Sequence, residues 1–202
     1  MAANHTIHLI DDDEDVRKAL AFLLGTAGHA VKVYESAIVF LERLDGLQPG
    51  CIVSDVRMPE VDGLELQRRL KEKGIALPIV IMTGHADVPL AVQAMKLGAM
   101  DFIEKPFSDD VMLGAISRAL AAVQEPEEGG ESGKIRARLD ALSDRERQVL
   151  QGLLAGHPNK TIAYDLGLSP RTVEVHRANV MTKMAATSLS ELVRMALKAG
   201  FS

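Results

Sequence analysis

One cysteine, no tryptophan and 3% aromatic residues leave this chain of 202 residues without several common structural devices. A lone Cys51 can form no internal disulfide, and six histidines scattered without metal-ligand spacing cannot combine with it into a structural zinc site. A transition-metal enzyme is therefore not expected. No apolar run approaches the roughly 18 to 20 residues that span a bilayer. The amino terminus Met1-Ala2-Ala3-Asn4-His5 also lacks the basic stretch and apolar run of a secretory signal. A cytoplasmic protein with no membrane partner is expected. What is present is a globular composition, 47% hydrophobic and 25% charged, in a chain long enough for two domains of ordinary size.

Charge divides the chain. Residues 1–122 carry 12 basic and 18 acidic side chains, whereas residues 134–202 carry 11 and 6, so an acidic half precedes a basic one. Between them Val123-Gln124-Glu125-Pro126-Glu127-Glu128-Gly129-Gly130-Glu131-Ser132-Gly133 is acidic, holds Gly and Pro, and has almost nothing to bury. The expected organisation is a domain over 1–122, a linker over 123–137 and a second domain over 138–202.

In the first half short apolar runs alternate with helical patterns. Residues 7–10, 31–34, 51–54, 79–82 and 101–103 are predicted as strands, and 14–26, 36–44, 63–73, 87–97 and 108–122 as helices. Strand then helix, five times, predicts an α/β fold with a doubly wound, five-stranded parallel sheet. Ligands of such sheets bind beyond the carboxyl ends of the strands. On that rim fall Asp11, Asp12 and Asp13 after the first strand, Asp55 at the third, Thr83 at the fourth and Lys105 after the fifth. Clustered carboxylates repel unless a cation neutralises them, and a hard, oxygen-only set suits Mg2+ with phosphate oxygens completing its shell. The Asp55 carboxylate is then a candidate nucleophile forming an acyl phosphate, with Lys105 offsetting charge on the transferring oxygens and Thr83 bonding the new phosphate.

The blocks Ile10-Asp11-Asp12, Ser54-Asp55-Val56-Arg57-Met58-Pro59 with Asp62-Gly63, Met82-Thr83-Gly84-His85, and Asp101-Phe102-Ile103-Glu104-Lys105-Pro106-Phe107 closely resemble the signatures of two-component receivers, a flavodoxin-like family. That resemblance implies Asp55 as phosphoacceptor and Asp12 as a direct magnesium ligand. It implies Asp11 as a ligand through water and Arg57 as a ligand through its backbone carbonyl. Thr83 and Phe102 match the paired switch positions, and Lys105-Pro106 matches the family's cis peptide, which proline makes tolerable. Asp13 and Glu14 are left as helix-start charges. The family's switch alters the face made by the fourth helix and fifth strand and promotes dimerisation there.

The second half has no strand pattern. Four all-α segments are predicted: a helix opened by the capping box Ser143-Asp144-Arg145-Glu146, a short one capped by Asn159, a third after Gly167 capped by Ser169 with Pro170 first, and a fourth opened by Ser188. This is a helix-turn-helix within a four-helix domain. On a wheel of 100 degrees per residue, Val173, Val180 and Met184 face inward on the third helix. Arg171, Val175, Ala178 and Thr182 face outward, flanked by Glu174 and Asn179, a mixture suited to a major groove. Arg177 and Lys183 at the edges, with Asn159 and Lys160 opening the second helix, are candidate phosphate contacts.

The run from Leu142 to Leu150, then Asn159-Lys160-Thr161-Ile162-Ala163, then Leu168 to Val180 including Thr172, strongly resembles the LuxR-type helix-turn-helix, which with the receiver makes the NarL/FixJ class. The resemblance makes Glu174, Val175 and Ala178 base-facing. None of the three is positively charged, so base preferences do not transfer from relatives carrying lysine there. The expected function is a transcription regulator, not an enzyme beyond self-hydrolysis of its own aspartyl phosphate. Its expected partners are a sensor histidine kinase, FixL-like by family analogy, double-stranded promoter DNA, RNA polymerase and a second copy of the chain when phosphorylated. By the same analogy, its genes are those of nitrogen fixation or microaerobic respiration. An enzyme acting on small substrates is disfavoured because no cap or lid segment lies between the strands, and a protein-binding helical module is the alternative for the second half.

Overall fold

A computed structural model describes residues 5–84, 88–124 and 130–201. The chain divides into two compact units, Met1–His85 with Leu97–Pro126 and Ala86–Lys96 with Glu127–Ser202.

Five strands, β1 (Thr6–Ile10), β2 (Ala30–Tyr34), β3 (Gly50–Asp55), β4 (Ile79–Thr83) and β5 (Asp101–Glu104), alternate with α1 (Glu14–Thr26), α2 (Ala37–Leu41), α3 (Gly63–Glu72), α4 (Val88–Lys96) and α5 (Asp109–Gln124). All neighbours pair parallel in the order β2-β1-β3-β4-β5. The order follows from the apolar pattern. β1, β3 and β4 are buried along their whole length, as central strands covered on both faces must be, while β2 at the edge exposes Ala30, Lys32 and Val33. Alternate residues feed one core in which Ile7, Leu9, Cys51, Val53, Val80 and Met82 meet Leu20 and Leu24 of α1 and Met112, Ala115, Ile116 and Ala119 of α5. Helix starts follow the capping signals: Asp13 accepts from the N–H groups of Asp15 and Val16, Ser36 from Val39 and Asp62 from Glu65. The predicted second helix over 36–44 is shortened to Ala37–Leu41, because only Ala37 and Phe40 are buried on it.

The other unit holds, besides α4, the helices α6 (Gly130–Asp140), α7 (Asp144–Leu154), α8 (Asn159–Leu166), α9 (Pro170–Met184) and α10 (Leu189–Lys198). α5 runs to Gln124 and α6 begins at Gly130, so helix occupies part of the segment expected as linker, and among the described residues five helices, α6 to α10, stand where four were expected. Ile135 and Leu139, four residues apart, supply α6 with a small buried stripe that its polar sequence conceals. Asn159 does not cap α8. Pro158 takes the cap position in extended conformation, with its carbonyl accepting from Ile162 N–H at 3.1 Å. The turn between α8 and α9 depends on Gly167, left-handed at φ 65 and ψ 35, which lets Leu168 N–H return to the Ala163 carbonyl at 2.8 Å.

α9 is gripped from behind. Val173, Val180 and Met184 are fully buried, as the wheel predicts. Glu146 of α7 is buried, and its Oε2 accepts from Lys183 Nζ at 2.7 Å and from Ser143 N–H at 2.8 Å. Lys183 Nζ also donates to the Ala141 carbonyl at 3.2 Å, and Arg138 of α6 donates to the Met184 carbonyl at 3.0 Å. The bond from Lys183 and those from Ser143 hold the Glu146 carboxyl down to about 2, from an ordinary 4.5. A depressed folded value means that this contribution is complete above about pH 4.5 and is lost as pH falls towards 2. Protection of the α7 and α9 amides against exchange, relative to the intrinsic rate at each pH, should therefore fall between pH 5 and 2.5 more steeply in the wild type than in Glu146→Gln. At neutral pH, Lys183→Met should cost about 2 kcal/mol, the scale for stranding a buried charged group.

Candidate functional site

Parallel strands deliver their last residues to a single rim. β1 ends at Ile10, so Asp11 emerges there. β3 ends on Asp55, β4 on Thr83, and β5 at Glu104 immediately before Lys105. Lys105 Nζ donates to Asp11 Oδ2 at 2.8 Å and to Asp55 Oδ1 at 2.6 Å, closing a triangle from residues 94 and 50 positions apart. The second oxygen of each carboxylate is also held. Asp11 Oδ1 accepts from Asp13 N–H at 2.9 Å, and Asp55 Oδ2 from Arg57 N–H at 2.6 Å. Asp11 and Asp55 are buried, Asp12 is exposed, and the Lys105–Pro106 peptide is cis.

Burial pushes the Asp55 carboxyl above its ordinary value. The neighbouring Asp11 charge adds to this, while the Lys105 ammonium and the Arg57 N–H oppose it. Burial alone would lower Lys105, but its bonds to Asp11 and Asp55 outweigh that and hold it above its ordinary value, so the ammonium stays charged. Thr83 is fully buried and its carbonyl accepts from Lys105 N–H at 2.7 Å. Phe102, two residues into β5, is half-buried.

Two contributors escaped the sequence reading. Arg17 of α1 donates from Nη1 to the Asp11 carbonyl at 2.7 Å, fixing the β1 exit. Gly63 donates its N–H to the Val56 carbonyl at 2.8 Å, and an added Cβ would lie 2.4 Å from the Asp55 carbonyl oxygen. Aspartate before glycine signals the helix start at this place, but not the approach to Asp55.

Lys105 unites Asp11 and Asp55, Asp12 is exposed next to Asp11, and among the described residues no group of three or more His, Cys, Asp and Glu side chains is already arranged to hold a metal. The donors available are nevertheless oxygens only, the preference of a hard divalent cation.

On α9, Arg171, Glu174, Val175, Ala178, Asn179 and Thr182 are exposed together on the side away from Val173 and Val180, with Thr172 and Arg177 half-buried beside them. Lys160 is exposed and Asn159 half-buried at the start of α8. Lys183, exposed near the end of the helix, donates its ammonium to Glu146 and to the Ala141 carbonyl, which ties α9 to α7.

Residues 7–117 match the family described as the response regulator receiver domain, and residues 140–196 match the bacterial regulatory proteins of the luxR family. The chain is a member of the response-regulator family. It is 55% identical over 199 residues to the transcriptional regulatory protein FixJ of Rhizobium meliloti strain 1021, covering 98% of each chain. To FixJ of Azorhizobium caulinodans it is 57% identical, covering 96% of this chain and 92% of the relative. A crystal structure of full-length FixJ from B. japonicum aligns with a TM-score of 0.58 at 54% identity, covering all of both chains. This response regulator is thus a FixJ-like transcriptional regulator with a receiver and a LuxR-type DNA-binding domain. Among its described residues no helix is long and apolar enough to cross a membrane.

The rim generates two expectations. Because the folded Asp55 value is raised, the native protein holds that proton to higher pH than the unfolded chain, so the ionised group opposes folding at neutral pH. Asp55→Asn should unfold at higher urea at pH 7, by about 1 kcal/mol. Its advantage over the wild type should shrink as pH falls through the raised Asp55 value towards 3.8. Gly63→Ala should cost about 2 kcal/mol or more through collision with backbone, read as a lower urea midpoint.

Proposed function

We propose that this response regulator accepts a phosphoryl group on Asp55 from the phosphohistidine of a sensor histidine kinase and, so modified, pairs with a second copy and binds a double-stranded promoter through α9. The observation that supports the first step best is the Lys105 ammonium held against both Asp55 Oδ1 and Asp11 Oδ2. An Asp55 oxygen attacks phosphorus, the P–N bond breaks, and the departing imidazole keeps the electron pair. Lys105 is already charged and within reach of the oxygens on which negative charge accumulates. The oxygen donor set fits Mg2+, which the Asp11, Asp12 and Asp55 carboxylates and the Arg57 carbonyl would hold. When bound, it would neutralise charge on the phosphoryl oxygens.

The new dianion then draws the Thr83 hydroxyl, and the ring of Phe102 on β5 turns into the space released, which converts a local charge into an altered surface and so into dimerisation. Self-hydrolysis of the acyl phosphate resets the switch. In the output module, which on this reading begins with α6, Arg171, Thr172, Glu174, Val175, Ala178, Asn179 and Thr182 approach base edges. Asn159, Lys160 and Arg177 approach phosphates. Activation proceeds through contact with RNA polymerase. Likeness to FixJ proteins favours a FixL-like haem kinase as donor, and genes of nitrogen fixation or microaerobic respiration as targets.

The test is binding at stated salt to a randomised oligonucleotide pool, by protein treated with magnesium and a small phosphoryl donor and by Asp55→Asn. The treated wild type should enrich a paired half-site and bind it at least tenfold more tightly than the variant does. Equal binding by both would contradict the switch, and binding by neither would point to a protein-binding role for the helical module.

A further inference from the structure

We infer that Val175 and Ala178 form an apolar reading patch for thymine methyl groups, so that each half-site presents thymines, not guanines, to the middle of α9. The inference rests on the proposal that α9 enters a major groove and adds the base chemistry it reads there.

Val175 is one of the few large hydrophobic side chains left exposed in the described chain, at 56%, on the face opposite the fully buried Val173 and Val180. A β-branched residue on an open helix face gains nothing from helix propensity and leaves apolar surface in water. Ala178 is exposed beside it, three residues on and about 4.5 Å along the axis. The hydroxyls nearby are engaged locally: Thr182 Oγ1 donates to the Ala178 carbonyl at 3.0 Å, and Ser169 and Thr172 share a hydrogen bond at 2.8 Å. The centre of the face therefore offers methyl groups.

The charges agree. In the major groove guanine shows two acceptors, best met by Arg or Lys, whereas thymine shows a C5-methyl group that apolar side chains contact. Arg171 stands a full turn towards the amino end, and Arg177 lies round the helix from Val175 by two residues, or about 200 degrees. Between them, Glu174 is exposed on the flank, where its carboxylate repels guanine's acceptors and accepts from a cytosine amino group. Asn179, exposed on the other flank, has the donor and acceptor that match adenine.

The experiment uses the full phosphorylated chain and the sequence it recovers from the randomised pool. Each thymine of a half-site is replaced in turn by deoxyuridine, which keeps every hydrogen bond and removes only the methyl group. One or two replacements per half-site should weaken binding about fourfold each, the value of one buried methyl. Val175→Ala should bind more weakly and lose its response at those same positions. Val175 is exposed, so the variant should keep the wild-type helix content, and the deoxyuridine series on the wild type decides the matter even if it does not. Specific binding indifferent to every deoxyuridine would overturn methyl reading while leaving DNA binding intact. Failure to enrich any sequence would overturn both readings.

Discussion

The ammonium of Lys105 between the carboxylates of Asp11 and Asp55 is the constraint on which the sheet unit turns. Two buried carboxylates cannot be tolerated side by side without a countercharge, and one ammonium can serve both only if three strand exits converge to within a side chain's length. The strand order supplies that convergence. β1 and β3 are neighbours, which sets Asp11 beside Asp55, and β5 lies two strands from β3, a gap that the lysine stem spans. Arg17 fixes the first exit and Gly63 admits α3 close behind the second, so the neighbouring elements are fitted to these three charges. The balance is incomplete, one ammonium against two carboxylates, and on the proposed reading a further cation would complete it.

The helical unit uses the same device to a different end. Glu146 and Lys183 also form an ion pair with a buried carboxylate, but there the bonds from Ser143 and to the Ala141 carbonyl satisfy both partners within the module. That pair gives α9 one seating on its neighbours, and Arg138 secures its last turn. A recognition surface needs a rigid back and an uncommitted front. Polar side chains behind α9 are spent on holding it, and Arg171, Glu174 and Asn179 in front are exposed.

Legibility in the sequence follows the range of the interactions. Strand and helix order was readable because periodicity and capping are local: the runs at 7–10 and 51–54 and the signals Asp13, Ser143, Ser169 and Gly167 act within a few residues of themselves. The rim cluster was readable because topology alone assigns strand ends to one side, so Asp11, Asp55, Thr83 and Lys105 could be grouped without knowing any distance. What stayed hidden lies across the fold. Nothing near Lys183 announces Glu146, 37 residues earlier. α6 was concealed because two buried residues, Ile135 and Leu139, are too few to outweigh a polar, glycine-bearing composition. Asn159 was misplaced at the cap because the preceding proline fits that position equally well.

The electrostatics of the output half bear on why a switch is needed. Its 11 basic side chains against 6 acidic ones give a weak general attraction for DNA, and the Lys183 charge is partly offset by Glu146. On the proposed reading, the centre of α9 adds apolar contacts that discriminate between bases but contribute modestly to affinity. A single copy therefore combines useful selectivity with low occupancy. Pairing two copies makes the second contact effectively intramolecular and multiplies affinity without new contacts to any base. On the proposed reading, a charge added at Asp55 need not reshape α9 at all; it need only favour the paired state for the same exposed face to become an effective reader of DNA.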